Sequence, residues 1–212
     1  YMKLKQGTTP EVAFVYDELA FSMLGQPWQI STDLLGASKD LFYTAGYSFG
    51  YYSIDDVIAG RTDDAKIIYM MTPWRMSQEQ VDGLKKKLFD SGKTVVWMYG
   101  YGVTDPKSFH ELIGMEVEAS DEPGLTDFMF ESEQPKGMEA LKALFYINRD
   151  LSPWYRVKEQ KNLTVLARYD GSQNISVAMN EENGYRSIFY GSTALNEKVY
   201  PVFNELAGAN CF

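Results

Sequence analysis

The chain has 212 residues, 45% of them hydrophobic and 23% charged, a composition that supports a packed core and argues against wholesale disorder. Lys and Arg total 20 against 29 Asp and Glu, so the net charge is -9, and neither a nucleic-acid backbone nor an anionic membrane is expected as a partner. One Cys and one His exclude an intrachain disulfide and a Cys/His zinc cluster, and the longest apolar runs fall far short of the roughly 20 residues a membrane helix needs.

In chain order, EVAFVYDE (11–18) has no polar alternation before Asp17, the mark of a strand covered on both faces, as in a parallel sheet. Gln29 to Gly46 carries Leu34, Leu35, Leu41 and Phe42 at helical spacing, with Gly46 placed to stop the helix. Tyr47 to Ile54 is β-rich, GRTDDA (60–65) is turn-like, and KIIYMM (66–71) is a second buried strand of the same kind. Ser77 to Gln80 forms a capping box that opens a helix with Val81, Leu84, Leu88 and Phe89 as its apolar stripe. Lys85, Lys86 and Lys87 suit the negative end of its dipole, and Gly92 ends it. KTVVWMYGYG (93–102) then reads as a third buried strand running into a glycine-rich turn, and Asp105-Pro106 starts a helix that reaches about Gly114.

Residues 12–114 thus alternate strand and helix, which predicts a three-layer, mainly parallel flavodoxin-like or related doubly wound α/β sheet. From 115 to 194 the pattern changes. MEVEA, LTDFMFE, WYRVKE, LTVLARYD, ISVAMNEE and YRSIFYGS are strand-like runs between turn residues, with one short helix candidate at Lys136 to Phe145. They predict an antiparallel β extension of the same sheet. Residues 195–212 close the chain with a helix over Leu195 to Ala207, blemished by Pro201 and capped by Gly208, and with ANCF as a last strand. No linker-like stretch interrupts 1–212, so one α/β domain is expected. The start at Tyr1 rather than Met suggests a piece of a longer polypeptide, and the compartment stays open.

The chemistry is sparse. Tyr99-Gly100-Tyr101-Gly102 falls where open α/β sheets bind ligands, at the carboxyl end of a strand, and Tyr101 stands where a nucleophile elbow would carry Ser or Cys. GYGVTD lacks the third glycine of a dinucleotide fingerprint, because Asp105 occupies it, and no phosphate-binding loop occurs. His110 follows on the next helix without a sequence-near nucleophile, Cys211 being about a hundred residues on; a helix-surface or packing role fits it better. Asp17-Glu18 and Asp55-Asp56 follow strands, where they could form an acid/base pair or a hard-cation site, or simply cap turns and helices. Aromatics make up 15% of the chain, an excess that suits protein interfaces and sugar stacking alike. Trp97 belongs inside a strand, whereas Trp74, in the TPW turn at a carboxyl strand end, could sit exposed as a sugar platform or interface anchor, and the Trp154-Tyr155 pair could do the same.

The order VAFVYDE, KIIYMMTPWRMSQEQVDGLKKKLFDSGKTVVWMYGYG, LTVLARYDG and FYGSTALNEKVYPVFNELAGANCF resembles the β-galactosidase trimerisation-type domain. The resemblance rests on Trp97 to Gly102, Ser77 to Glu79, Leu166 to Gly171 and Leu195 to Phe212, with 114–163 matching least. It implies the class I glutamine amidotransferase-like fold, a place after the catalytic barrel of a large glycoside hydrolase, and a periplasmic or secreted parent. With Tyr101 at the elbow and no His-x-Glu in the final third, the amidotransferase activity does not carry over. The expectation is therefore a non-catalytic accessory and oligomerisation module without a cofactor, its partners being copies of itself and an upstream catalytic domain of the same polypeptide. A second reading is a carbohydrate- or small-molecule-binding module using Trp74, Tyr99 and Tyr101 beside Asp17 and Glu18. A third is a stand-alone hydrolase using Asp17, Asp55 or His110.

Overall fold

A computed structural model describes residues 10–21, 33, 38–122, 126–148 and 150–210. Its centre is an 11-stranded sheet. The parallel half consists of β1 (Val12–Tyr16), β2 (Phe49–Ser53), β3 (Ile67–Met70), β4 (Thr94–Met98) and β11 (Arg186–Tyr190). Every residue of β1, β3 and β4 is buried, as their unbroken apolar runs require, while β2 at the edge is only partly covered.

The second half is antiparallel, as its turn-punctuated runs predict. β10 (Ile175–Asn180) pairs with β11, β9 (Thr164–Tyr169) with β10, β6 (Phe128–Phe130) with β9, and β7 (Phe145–Tyr146) with β6. The main path of the sheet is thus β2-β1-β3-β4-β11-β10-β9-β6-β7. Off this path, β8 (Trp154–Val157) joins β10 at Val157 and carries β5 (Val117–Ser120) along its other side. The hinge between the halves is β11, late in sequence yet seated in register beside β4, with Phe189 opposite Trp97.

Helices cover both faces of the parallel half. On one face α2 (Ser38–Ala45) and α6 (Tyr200–Leu206) meet over Phe14 and Tyr69, with the Phe42 ring edge-on to Phe14 at 4.8 Å and tilted against Tyr200 at 4.5 Å. On the other, α5 (Pro106–Ile113) sets Phe109 edge-on to Trp97 at 5.7 Å, and Trp97 Nε1 donates to Ser187 Oγ at 3.1 Å. Beside α5 lies α4 (Gln78–Leu88), which packs in turn on α3 (Ile54–Ile58), where Gly83 lets the Ile58 side chain approach. The capping box of α4 forms as predicted, Ser77 Oγ accepting from the Gln80 amide while Gln80 Oε1 accepts from the Ser77 amide. Asp105 caps α5 and Gly114 ends it in the left-handed region.

Three local expectations change. Lys136 to Phe145 is not a helix: only a 3-10 turn forms at Glu139–Leu141 before the chain enters β7, since Gly137 and Pro135 leave too short a stretch to propagate. The closing helix begins at Tyr200 rather than Leu195, so Pro201 lies in its first turn, where the missing N–H costs nothing and no kink arises. Ala209 and Asn210 extend no strand, and Cys211 lies outside the described residues, as does the start of the helix expected from Gln29. Gly208 does end α6, with a left-handed φ of 72° and the Ala209 amide returning to the Asn204 carbonyl.

Candidate functional site

The strand order reverses between β1 and β3, and the crevice outside their carboxyl ends is where sheets of this kind bind ligands. Asp17 leaves β1 there. Its amide donates to Thr72 Oγ1 at 2.7 Å, and its carboxylate accepts from the Leu19 amide at 3.0 Å, fixing the start of the short helix α1 (Glu18–Phe21). Glu18 opens that helix. Asp56 completes a capping box with Ser53 at the start of α3, and Asp55 Oδ1 accepts from Gln80 Nε2 at 3.1 Å. The Asp17 and Asp56 carboxylates thus hold helix ends, and the described residues contain no cluster of three or more His, Cys, Asp or Glu that could hold a metal ion.

The turn after β4 is an elbow, but its strained residue is Tyr99, not Tyr101. Tyr99 follows β4 directly with φ 68°, a left-handed conformation that costs a non-glycine residue about 1 kcal/mol or more, and its amide donates to the Tyr190 carbonyl at 2.8 Å. The elbow side chain is therefore a phenol, and it is committed: its hydroxyl donates to the Pro153 carbonyl. Burial raises the Tyr99 hydroxyl well above its ordinary range, so it holds its proton at neutral pH.

An aromatic plug fills this corner. The Tyr155 ring stands edge-on to Tyr99 at 5.1 Å and to Tyr101 at 5.0 Å, and it lies directly over Gly100. A Cβ at Gly100 would fall 2.3–2.6 Å from the Tyr155 ring atoms, so only glycine admits it. Burial pushes the pKa of the Tyr155 hydroxyl up to about 12, against the opposing pull of the nearby Gly102 backbone. Gly102 in turn lets the Trp74 backbone approach, and the Trp74 carbonyl accepts from the Val103 amide at 2.7 Å.

Trp74 and Tyr155, candidates for surface platforms, are buried at 4% and 3% exposure, and Trp154 is only half-buried. The reason is the extension: β8 lays Tyr155 across the end of β4, and Trp74 packs edge-on to Tyr99 at 5.7 Å. The Trp74 indole N–H has no acceptor among the described residues. Tyr101 remains half-exposed, and burial is the main cause of its raised pKa. His110 takes the packing role, Nε2 donating to the Val117 carbonyl at 2.8 Å beside the Tyr101 ring. Trp97 is core, as expected. The part of the site that sequence reasoning missed is Pro153 and Tyr155 acting on Tyr99 from the far half of the chain. A β-run opening on an aromatic pair was the available signal, without indication of what it covers.

A mixed α/β sheet with an elbow at the carboxyl end of a central strand defines the class: a glutamine amidotransferase-like fold. Solved structures agree. The chain superposes with a TM-score of 0.71 on the β-galactosidase of Bacillus circulans sp. alkalophilus, 13% identical, covering 96% of this chain and 32% of that one. A GH42 β-galactosidase of G. stearothermophilus also gives 0.71, at 16% identity over 95% of this chain and 30% of the other. A protein described as a component of GMP synthase in Thermoplasma acidophilum gives 0.60 at 9% identity, over 95% and 96% of the two chains. This chain thus spans about a third of the β-galactosidases it resembles. Neither a family model nor a curated protein sequence matches it.

Proposed function

We propose that this chain is a non-catalytic accessory module of a larger carbohydrate-active enzyme, acting through assembly with copies of itself and with a catalytic domain of the same polypeptide. The observation that carries the reading is the plugged elbow, where the reactive position holds the hydrogen-bonded phenol of Tyr99 under the Tyr155 ring. The likeness to one third of two β-galactosidases supports the accessory role. For assembly, the sheet edge offers Met129, Phe145 and Ile147 on the β6–β7 side, Ile147 being 76% exposed, an unusual apolar surface on a chain of net charge -9. Light scattering after size exclusion tests this on the chain and its Phe145→Asp/Ile147→Asp variant. The reading expects an oligomer that the variant dissociates; a monomeric chain, or an unchanged oligomer, contradicts assembly through this edge.

A second reading, a carbohydrate-binding module, has one observation in its favour: among the described residues the buried Trp74 indole N–H finds no acceptor, and a ligand oxygen could supply one. Calorimetric titration with galactosides should then give heat that Trp74→Phe abolishes, and absence of heat for any sugar removes it.

A further inference from the structure

Asn183-Gly184, at the tip of the hairpin joining β10 to β11, is the only asparagine in the chain followed by glycine. That dipeptide has intrinsic chemistry, because a glycine nitrogen with no neighbouring Cβ can reach the asparagine side-chain carbonyl. Here the tip is docked. Asn183 Nδ2 donates to the carbonyls of Glu111 and Leu112 in the last turn of α5, at 3.1 and 3.3 Å, and the Gly184 amide donates to the Glu181 carbonyl at 3.2 Å. From the segment after α4, the Asp90 amide donates to the Asn183 carbonyl at 3.0 Å and the Gly92 amide to the Gly184 carbonyl at 2.9 Å. Gly184 has φ 71°, and a Cβ there would lie 2.3 Å from the Asp90 carboxylate, so the backbone has no room to turn its nitrogen onto the side chain while docked.

We propose that Asn183-Gly184 is a deamidation site that the docked hairpin holds shut, and that conversion releases the hairpin from α4 and α5. In the undocked tip the Gly184 nitrogen, deprotonated by solvent hydroxide, bonds to Asn183 Cγ. The Cγ–Nδ2 bond breaks, and the nitrogen leaves as ammonia after taking a proton from water. Water then opens the five-membered imide at either carbonyl, giving aspartate or isoaspartate. The product carboxylate faces two carbonyls at the negative end of α5, with the Asp90 carboxylate against Gly184 and Glu111, Glu181 and Glu182 adjoining the contact in sequence. Lys85 and Arg186 are already paired with Glu111 and Glu181. Two donated hydrogen bonds become repulsion, which disfavours redocking.

Peptide mapping by mass spectrometry after incubation of the full chain, native and in denaturant, reads the first half. Asn183 should convert before any other asparagine in denaturant, and at least about tenfold more slowly in the native chain, as for exchange gated by local opening. A different leading asparagine, or equal native and denatured rates, overturns the guarded site. Hydrogen exchange at the Asp90 and Gly92 amides reads the second half. N183A, which removes the same bonds without adding charge, sets the baseline, and N183D should exchange faster still. N183D exchanging no faster than N183A overturns the release.

Discussion

Gly100 and Tyr155 meet so closely that each constrains the other. Tyr155→Ala removes a buried ring that contacts Tyr99, Tyr101 and Gly100, and truncating a large buried aromatic costs about 3–5 kcal/mol. Gly100→Ala places a methyl 2.3–2.6 Å from the ring, Cγ included, so rotating the ring about its own axis gives no relief and β8 itself must shift. Overpacking of this kind costs about 1–3 kcal/mol. Gly100 is not in the left-handed region, so steric contact rather than backbone strain is the cause. In the double variant the methyl enters the space the ring vacated. The Gly100→Ala penalty should then largely vanish or reverse, giving a coupling of about 1–3 kcal/mol. Urea unfolding of the four proteins under identical conditions measures it, with equal m-values as the check that the transition stays comparable. Additive penalties would refute the plug, because they would mean that Tyr155 does not occupy the space above Gly100 in solution.

Other elements give simpler tests. Ser77→Ala removes the hydroxyl half of the α4 capping box and should cost about 1 kcal/mol in urea unfolding, whereas an unchanged midpoint would show that the box contributes nothing. Lys93 Nζ donates to the carbonyls of Asp63 and Ala65 at 2.6 and 2.7 Å, with Thr62 at 3.3 Å. Lys93→Met should cost about 1–3 kcal/mol and lower the melting temperature by strand-end loosening; a neutral result would deny the clamp. The Glu11 carboxylate is held below its ordinary value of 4.5, first by the Lys66 ammonium and then by the Asn210 amide. A depressed folded pKa contributes stability that is present above the unfolded value and lost as pH falls through the folded one. Glu11→Gln should therefore flatten part of the loss in urea midpoint between about pH 5 and pH 3, and an unaltered acid limb would remove Glu11 from that loss.

The parallel half was legible because its physics is local to each segment. β1, β3 and β4 are buried on both faces, so their apolar runs needed no partner to be read. The cap of α4 and the Asp105-Pro106 start of α5 are likewise written within four residues of chain. What failed was each judgement that depended on a distant segment. Trp74 and Tyr155 look like surface aromatics until β8 brings the second against the elbow, a contact spanning some fifty residues that no spacing announces. The helix expected over Lys136 to Phe145 runs into the first residue of β7, because the strand character of that two-residue segment comes from pairing with β6 rather than from its own pattern. The elbow could be located but not resolved: which tyrosine takes the left-handed conformation depends on where β4 stops, and Tyr190 and Pro153 decide that by binding Tyr99.

That arrangement also explains why an aromatic excess belongs here. An open α/β sheet leaves its strand ends as a crevice, and a chain that does chemistry there lines it with small and reactive groups. At the end of β4 this chain places tyrosines instead: Tyr99, Tyr101 and Tyr155 pack together there, and Tyr169 fixes β8 by donating to the Tyr155 carbonyl at 2.7 Å. Tyr99 and Tyr169 each have a ring that packs and a hydroxyl that donates to a backbone carbonyl, that of Pro153 and of Tyr155, which closure would otherwise strand. Phenylalanine would fill the same space yet leave those carbonyls without these donors, at about 1–3 kcal/mol each where they are buried. Tyrosine is the residue that seals a strand end against both voids and orphaned carbonyls, so its abundance here fits a packed corner better than an open binding platform.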